Sequence, residues 1–236
     1  MKKIILFSAL FLTGLVNTAL SKPVSVNHFL EIPAVNGTSG YIENPSGYTL
    51  AENSYSLGIH KFKFKANYGL LGFIDLGVFF DFAESSDILT VVQRGGLNAK
   101  VRLTDEEMMF VTASAGIERL PFSMGDSENW SGCRLYASAS KTIGDLSIGF
   151  GVSRPLYGAI DISSWELLAD AAFLVNDTIL TAVEYNGRGF NAGIKISMNY
   201  NITIELLALS LEKLGKSAEE GSLLRDHFVF GITYRQ

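Results

Sequence analysis

Apolar residues recur at every second position in runs of about ten along most of this chain. In Ile74–Phe82, the residues Ile74, Leu76, Val78, Phe80 and Phe82 share one face, opposite Asp75, Gly77, Phe79 and Asp81. Leu146, Ile148, Phe150 and Val152 likewise oppose Ser147, Gly149, Gly151 and Ser153. Similar runs start near Leu97, Met109, Leu135, Trp165, Ile179, Phe190, Ile202 and Phe228. A period of two predicts β-strands, and helical spacing is nearly absent.

The second face decides what the strands enclose. It is Gly- and Ser-rich with isolated charges, whereas water-facing strands carry many Lys, Glu and Thr. Small residues and scattered charges suit a confined lumen, and the continuous apolar face then meets lipid. The connections alternate in length. Short ones fall near 67–72, 104–107, 142–145, 175–178 and 199–201; longer ones near 83–96, 120–133, 155–164 and 212–226. Asn186–Gly189 is short but belongs to the long side. The expected fold is all-β, an antiparallel transmembrane β-barrel with short turns on one side of the membrane and long loops on the other. A soluble barrel or sandwich is the alternative. Tyr55, Phe82, Trp165, Phe173, Tyr185, Phe190, Phe228 and Tyr234 stand near strand ends, as interfacial girdles require.

Counting from Ser54 gives eleven strands. Closure on an even number calls for one more, and Val24–Ile32 alternates weakly enough to supply it. The expectation is therefore twelve strands. Ten is the alternative, with the N-terminal stretch outside the wall or plugging the lumen. The strand beginning at Tyr55 loses phase: strict alternation would put Lys61, Lys63 and Lys65 beside Leu57 and Ile59 on the lipid face. A β-bulge near His60–Lys61 is expected to correct it; the alternative is that the strand leaves the hydrocarbon at about Lys61. The segment Asn44-Pro45-Ser46-Gly47 reads as a type I turn.

Composition sets location and excludes some chemistry. Lys2 and Lys3 precede an apolar run, Ile4–Val16, and Ala19-Leu20-Ser21 follows it. This reads as a signal peptide over residues 1–21. Residues 22–53 then form an N-terminal segment and 54–236 the barrel. The mature chain carries 17 basic against 24 acidic residues, a balance that argues against nucleic acid. Cys133 is the single cysteine, so no internal disulfide forms. The three histidines, His28, His60 and His227, show no metal-ligand spacing, and no cofactor is expected. His60 and Asp75 can both face inward on neighbouring strands, the one pairing of a kind that catalysis uses. The ending HFVFGITYRQ is similar to the C-terminal signal by which outer-membrane barrels are recognised for insertion.

The segment Gly40–Phe82 resembles the opening of bacterial outer-membrane barrels of the exopolysaccharide-associated family. The matching residues are Gly40, Pro45 and Ser46, then Tyr55, Ser56, Leu57, Gly58, Ile59 and His60. The resemblance covers about a fifth of the chain. It implies the outer membrane of a Gram-negative-type bacterium and a link to surface polysaccharide.

The candidate functional residues are the charges on the inner face. Lys100, Arg102 and Arg134 form a basic group; Glu166, Asp170, Glu184 and Glu205 form an acidic one. Either they line a pore and orient polar solutes, or they pair and hold the barrel closed. The leading expectation is a porin-like or transport-associated barrel. A non-conducting scaffold or surface-interaction module, linked to exopolysaccharide export, is the alternative, and a barrel-embedded hydrolase is third. The partners implied are outer-membrane lipid, the barrel-insertion machinery, and surface polysaccharide or small polar solutes.

Overall fold

The computed structural model describes residues 24–82, 91, 94–123, 132–156, 165–213 and 227–236. The expected signal peptide over residues 1–21 lies outside them, as does much of each long connection. Twelve antiparallel strands close into one barrel: β1 (Tyr55–His60), β2 (Lys63–Leu70), β3 (Ile74–Asp81), β4 (Gly96–Arg102), β5 (Thr112–Pro121), β6 (Arg134–Ile143), β7 (Leu146–Pro155), β8 (Glu166–Asn176), β9 (Ile179–Tyr185), β10 (Phe190–Asn199), β11 (Ile202–Ala208) and β12 (Phe228–Arg235). Each strand pairs with its sequence neighbour, and β1 pairs with β12 from Ser56↔Arg235 to His60↔Gly231. Closure leaves no free edge.

The expected count is right, but the twelfth strand comes from elsewhere. Val24–Ile32 is not a strand. It contains a short helix, α1 (Val26–Leu30), capped by the Ser25 side chain on the His28 N–H. The expected bulge near His60–Lys61 is instead a two-residue hairpin. His60 pairs directly with Lys63, and Lys61 takes a positive φ of 56° to make the turn. The hairpin corrects the phase as the bulge was meant to: Phe64 pairs with outward Ile59, and Lys65 turns fully inward. The run starting at Met109 also begins later. Residues Glu106–Met109 form a helical turn, α2, capped by Asp105, and the strand starts at Thr112.

The outer face is an apolar belt. Leu167, Phe150, Ile59, Val183 and Phe230 are among its most exposed side chains. A band of this kind cannot face water over a whole barrel circumference, so the barrel spans a membrane. Phe82, Trp165, Phe173, Phe190, Phe228 and Tyr234 stay exposed near strand ends, at girdle height.

The lumen is filled by residues 24–50. The chain starts at the short-turn end, where the Val24 N–H donates to the Asp177 carbonyl (3.2 Å). It rises to the long-loop end, where Asn36 and Glu43 lie, and returns until Tyr48 meets Thr142 and Leu50 meets Asp75. On one side it packs as a core: Val26, Phe29, Leu30, Tyr41 and Ile42 against inward Leu174, Leu180, Ala182, Leu207 and Val229. Gly47 passes so close to the opposite wall that a Cβ there would stand 2.0 Å from the Thr112 carbonyl oxygen. The lumen therefore holds a protein core inside a membrane wall.

Candidate functional site

The plug segment has little secondary structure of its own, so its buried N–H and C=O groups need partners. The barrel wall supplies them with charged side chains. Lys65 donates to the Ala34 carbonyl. Lys100 donates to the Ser39 carbonyl (2.9 Å), the Ser39 hydroxyl (2.7 Å) and the Tyr48 carbonyl. Lys195 donates to the Phe29 (3.2 Å) and Gly40 (3.0 Å) carbonyls. All three lysines are fully buried.

Carboxylates do the same for the N–H groups. Glu184 accepts from the backbone of Ile42, Glu43 and Asn44 at 2.9–3.1 Å. Asp75 accepts from the Leu50 N–H (2.8 Å) and the Ser39 hydroxyl (2.7 Å). Asp170 accepts from the Asn44 amide (2.7 Å), and Glu118 from the Thr38 hydroxyl. Charge-assisted bonds of this kind are roughly twice as strong as neutral ones.

Of the seven charges singled out from sequence, Lys100, Arg134, Asp170 and Glu184 bind the plug segment in this way. Glu205 is buried among His60 Nε2 (2.9 Å), Lys195 (3.7 Å) and the Thr233 hydroxyl (2.9 Å). Arg102 sits at the short-turn end, donating to the Gly72 carbonyl (3.0 Å) with Asp105 at 3.5 Å. Arg134 and Glu166 sit at the long-loop end, with Glu118 (2.5 Å) and Arg188 (2.6 Å) respectively. The two groups do not face each other across open space, because the plug segment lies between them. Sequence reading passed over Lys65, Lys195 and Glu118. The signal for Lys65 was hidden by the phase change at the hairpin; Lys195 and Glu118 stand on the inner face of their runs.

The His60–Asp75 pairing is not formed, since His60 bonds to Glu205 and Asp75 bonds to the plug segment. Among the described residues no three His, Cys, Asp or Glu side chains group to hold a metal. Cys133 is buried just before β6, and burial pushes its thiol up to about 11, away from reactivity.

At the short-turn end the segment is clamped by Arg235, which pairs with Glu31 and reaches the His28 carbonyl and Nδ1 (both 3.3 Å). Burial, then the Arg235 charge, lowers His28 to about 4, and burial raises Glu31. Tyr48 closes the same end by donating to Glu106.

At the long-loop end the seal leaves a polar cleft of about 350 Å³. Its floor is the tip of the plug segment, Asn36 and Glu43; its walls are Arg119, Gly132, Cys133, Arg134, Pro155, Glu166, Asn186 and Arg188. Arg134 donates to the Glu43 carbonyl (2.9 Å), and Asn186 (2.7 Å) and Asn191 (3.0 Å) donate to the Glu43 carboxylate.

No protein-family model matches the chain, and no curated protein does. Among solved structures, it is similar to two triple mutants of Rhodopseudomonas blastica porin, each at 8% identity with a TM-score of 0.35. The match covers 74% of this chain and 55% of each porin chain, so the chain spans about half the length of those it matches.

Proposed function

We propose that this protein is an outer-membrane barrel closed to free diffusion by its own N-terminal segment, working at its long-loop mouth as a surface-interaction module rather than as an open pore or an enzyme. The observation that carries this is the use of Lys65, Lys100 and Lys195. Three fully buried ammonium groups direct hydrogen bonds to plug carbonyls, so the segment stands where a passing solute would have to meet them. Long loops face outward in barrels of this class, which puts the cleft on the cell surface. The resemblance of Gly40–Phe82 to exopolysaccharide-associated barrels adds surface polysaccharide as a partner class. The barrel fold supports membrane lipid and the insertion machinery as further partners.

A transport-associated barrel that opens when the segment leaves is the second reading. Its support is the polar half of the seal, where water can replace the bonds to the lysines and carboxylates. Planar-bilayer recordings separate the two. Folded full-length protein, identified by its heat-modifiable gel band, is expected to be electrically silent, and a chain lacking residues 24–50 to conduct. Sustained channels from the full-length protein would overturn the closed reading and leave the second.

A further inference from the structure

The mouth cleft contains a guanidinium held out of its wall. On β5 the register with β4 jumps: Leu97 faces Leu120, but Ala99 faces Ile117, so Glu118 and Arg119 together oppose Asn98. This is a β-bulge, a device that re-aims a side chain. Arg119 takes a φ of 55° there, a left-handed conformation that a non-glycine residue adopts only under constraint. The constraint is visible: its N–H donates to Asn98 Oδ1 at 2.8 Å. With the bulge, Glu118 stays buried against Arg134 while Arg119 also turns to the cleft.

The guanidinium is positioned as well as aimed. It lies over the ring of inward-facing Phe79, 5.5 Å from the centroid, which supports the planar face and leaves edge N–H groups to donate. Gly132 makes the space. A Cβ there would stand 2.4 Å from Arg119 Nη1. The carboxylates of the cleft are already engaged, Glu166 by Arg188 and Glu43 by two Asn amides. Among the described residues, Arg119 has no carboxylate within ion-pair distance and no side-chain hydrogen bond.

We propose that this cleft binds an oxyanion, a carboxylate or phosphate carried by a polar solute, with Arg119 as its anchor. A guanidinium fork matches the two oxygens of such a group, and about 350 Å³ is within the range of small-ligand pockets. The site rests on the closed reading, because the plug segment supplies its floor.

Calorimetric titration of the folded full-length chain with glucuronate, glucose 6-phosphate and glucose tests it. One or both acidic sugars are expected to bind, and neutral glucose is not; which acid binds tells carboxylate from phosphate. Arg119→Gln is expected to weaken binding about tenfold or more, from loss of a charge-assisted pair. Gly132→Ala displaces the guanidinium without removing it and is expected to weaken binding several-fold, with an unchanged heat-modifiable band. No binding of either acid to silent, folded protein would overturn the proposal, as would full binding by Arg119→Gln. If the protein conducts but Arg119→Gln still abolishes binding, the closed reading fails and the oxyanion site stands.

Discussion

The Glu184 carboxylate accepts the N–H of Ile42 at 3.0 Å, and the next two N–H groups of the chain converge on the same oxygens. A charged side chain on β9 thus does for a loop what a neighbouring strand does in a sheet. Removing it leaves three buried donors of the plug segment without that acceptor. Glu184→Ala is expected to weaken the seal by about 2–3 kcal/mol, on the order of an unsatisfied buried polar group. Hydrogen exchange at Ile42–Asn44 should rise while strand amides of β6 and β7 stay protected. Unchanged exchange at those three amides would show that the carboxylate holds nothing.

The β1–β2 hairpin offers a test in the opposite direction. Lys61 adopts φ 56°, where a Cβ crowds the backbone. Lys61→Gly is expected to stabilise the barrel by about 1 kcal/mol. A denaturation midpoint that falls or stays level would argue that the lysine side chain contributes more than the strain it brings.

That hairpin also shows what a sequence conceals. Lys61-Phe62 lacks the Asn-Gly or Asp-Gly signature of tight hairpins, so one long irregular strand was the natural reading of two short ones. The wall was otherwise legible, because every strand has lipid on one side and a confined lumen on the other, and period-two patterning records both. The lumen's contents were less legible. Inward Leu180, Leu207 and Val229 are too apolar for a water-filled pore, and they mark the patch that the segment covers. The segment itself carries no period, since its backbone is satisfied by side chains distant in sequence, such as Lys195 on Phe29. Charges such as Lys100 and Glu184 could be placed on the inner face from sequence, but not matched to partners. Arg119 was invisible, because a bulge breaks the alternation that would assign it a face.

The membrane-spanning assignment has its own test at Phe150. It is 64% exposed midway along β7, flanked on the sheet by Ala139 and Ala169. Phe150→Arg places a charge in hydrocarbon and is expected to cost about 2–4 kcal/mol if that position lies near the bilayer midplane. Phe150→Leu keeps an apolar surface and should be nearly neutral. Reversible unfolding in lipid vesicles measures both. A barrel that accepts Phe150→Arg as readily as Phe150→Leu would not be embedded at that height.

Acid is expected to loosen the short-turn end of the seal, and the sign follows from His28. Burial and the neighbouring Arg235 hold its pKa at about 4, below the ordinary value near 6.5. The seated segment thus prefers neutral His28, and the released segment binds the proton more readily. The contribution to seating is full above about pH 6.5 and is lost as the pH falls toward 4, amounting to about 3 kcal/mol at the limit. Glu31, raised by burial, acts in the other direction: its seated form prefers the proton, so its contribution fades as the pH rises above its ordinary value. Paired with Arg235, it partly offsets His28 in the range where both titrate. His28→Gln removes one of the two groups and should flatten or reverse the acid response, while Glu31→Gln should steepen it. Hydrogen exchange at Phe29–Ile32 between pH 7 and 4.5, corrected for the intrinsic rate, reads the result. Equal acid sensitivity in wild type and His28→Gln would assign the response to another group.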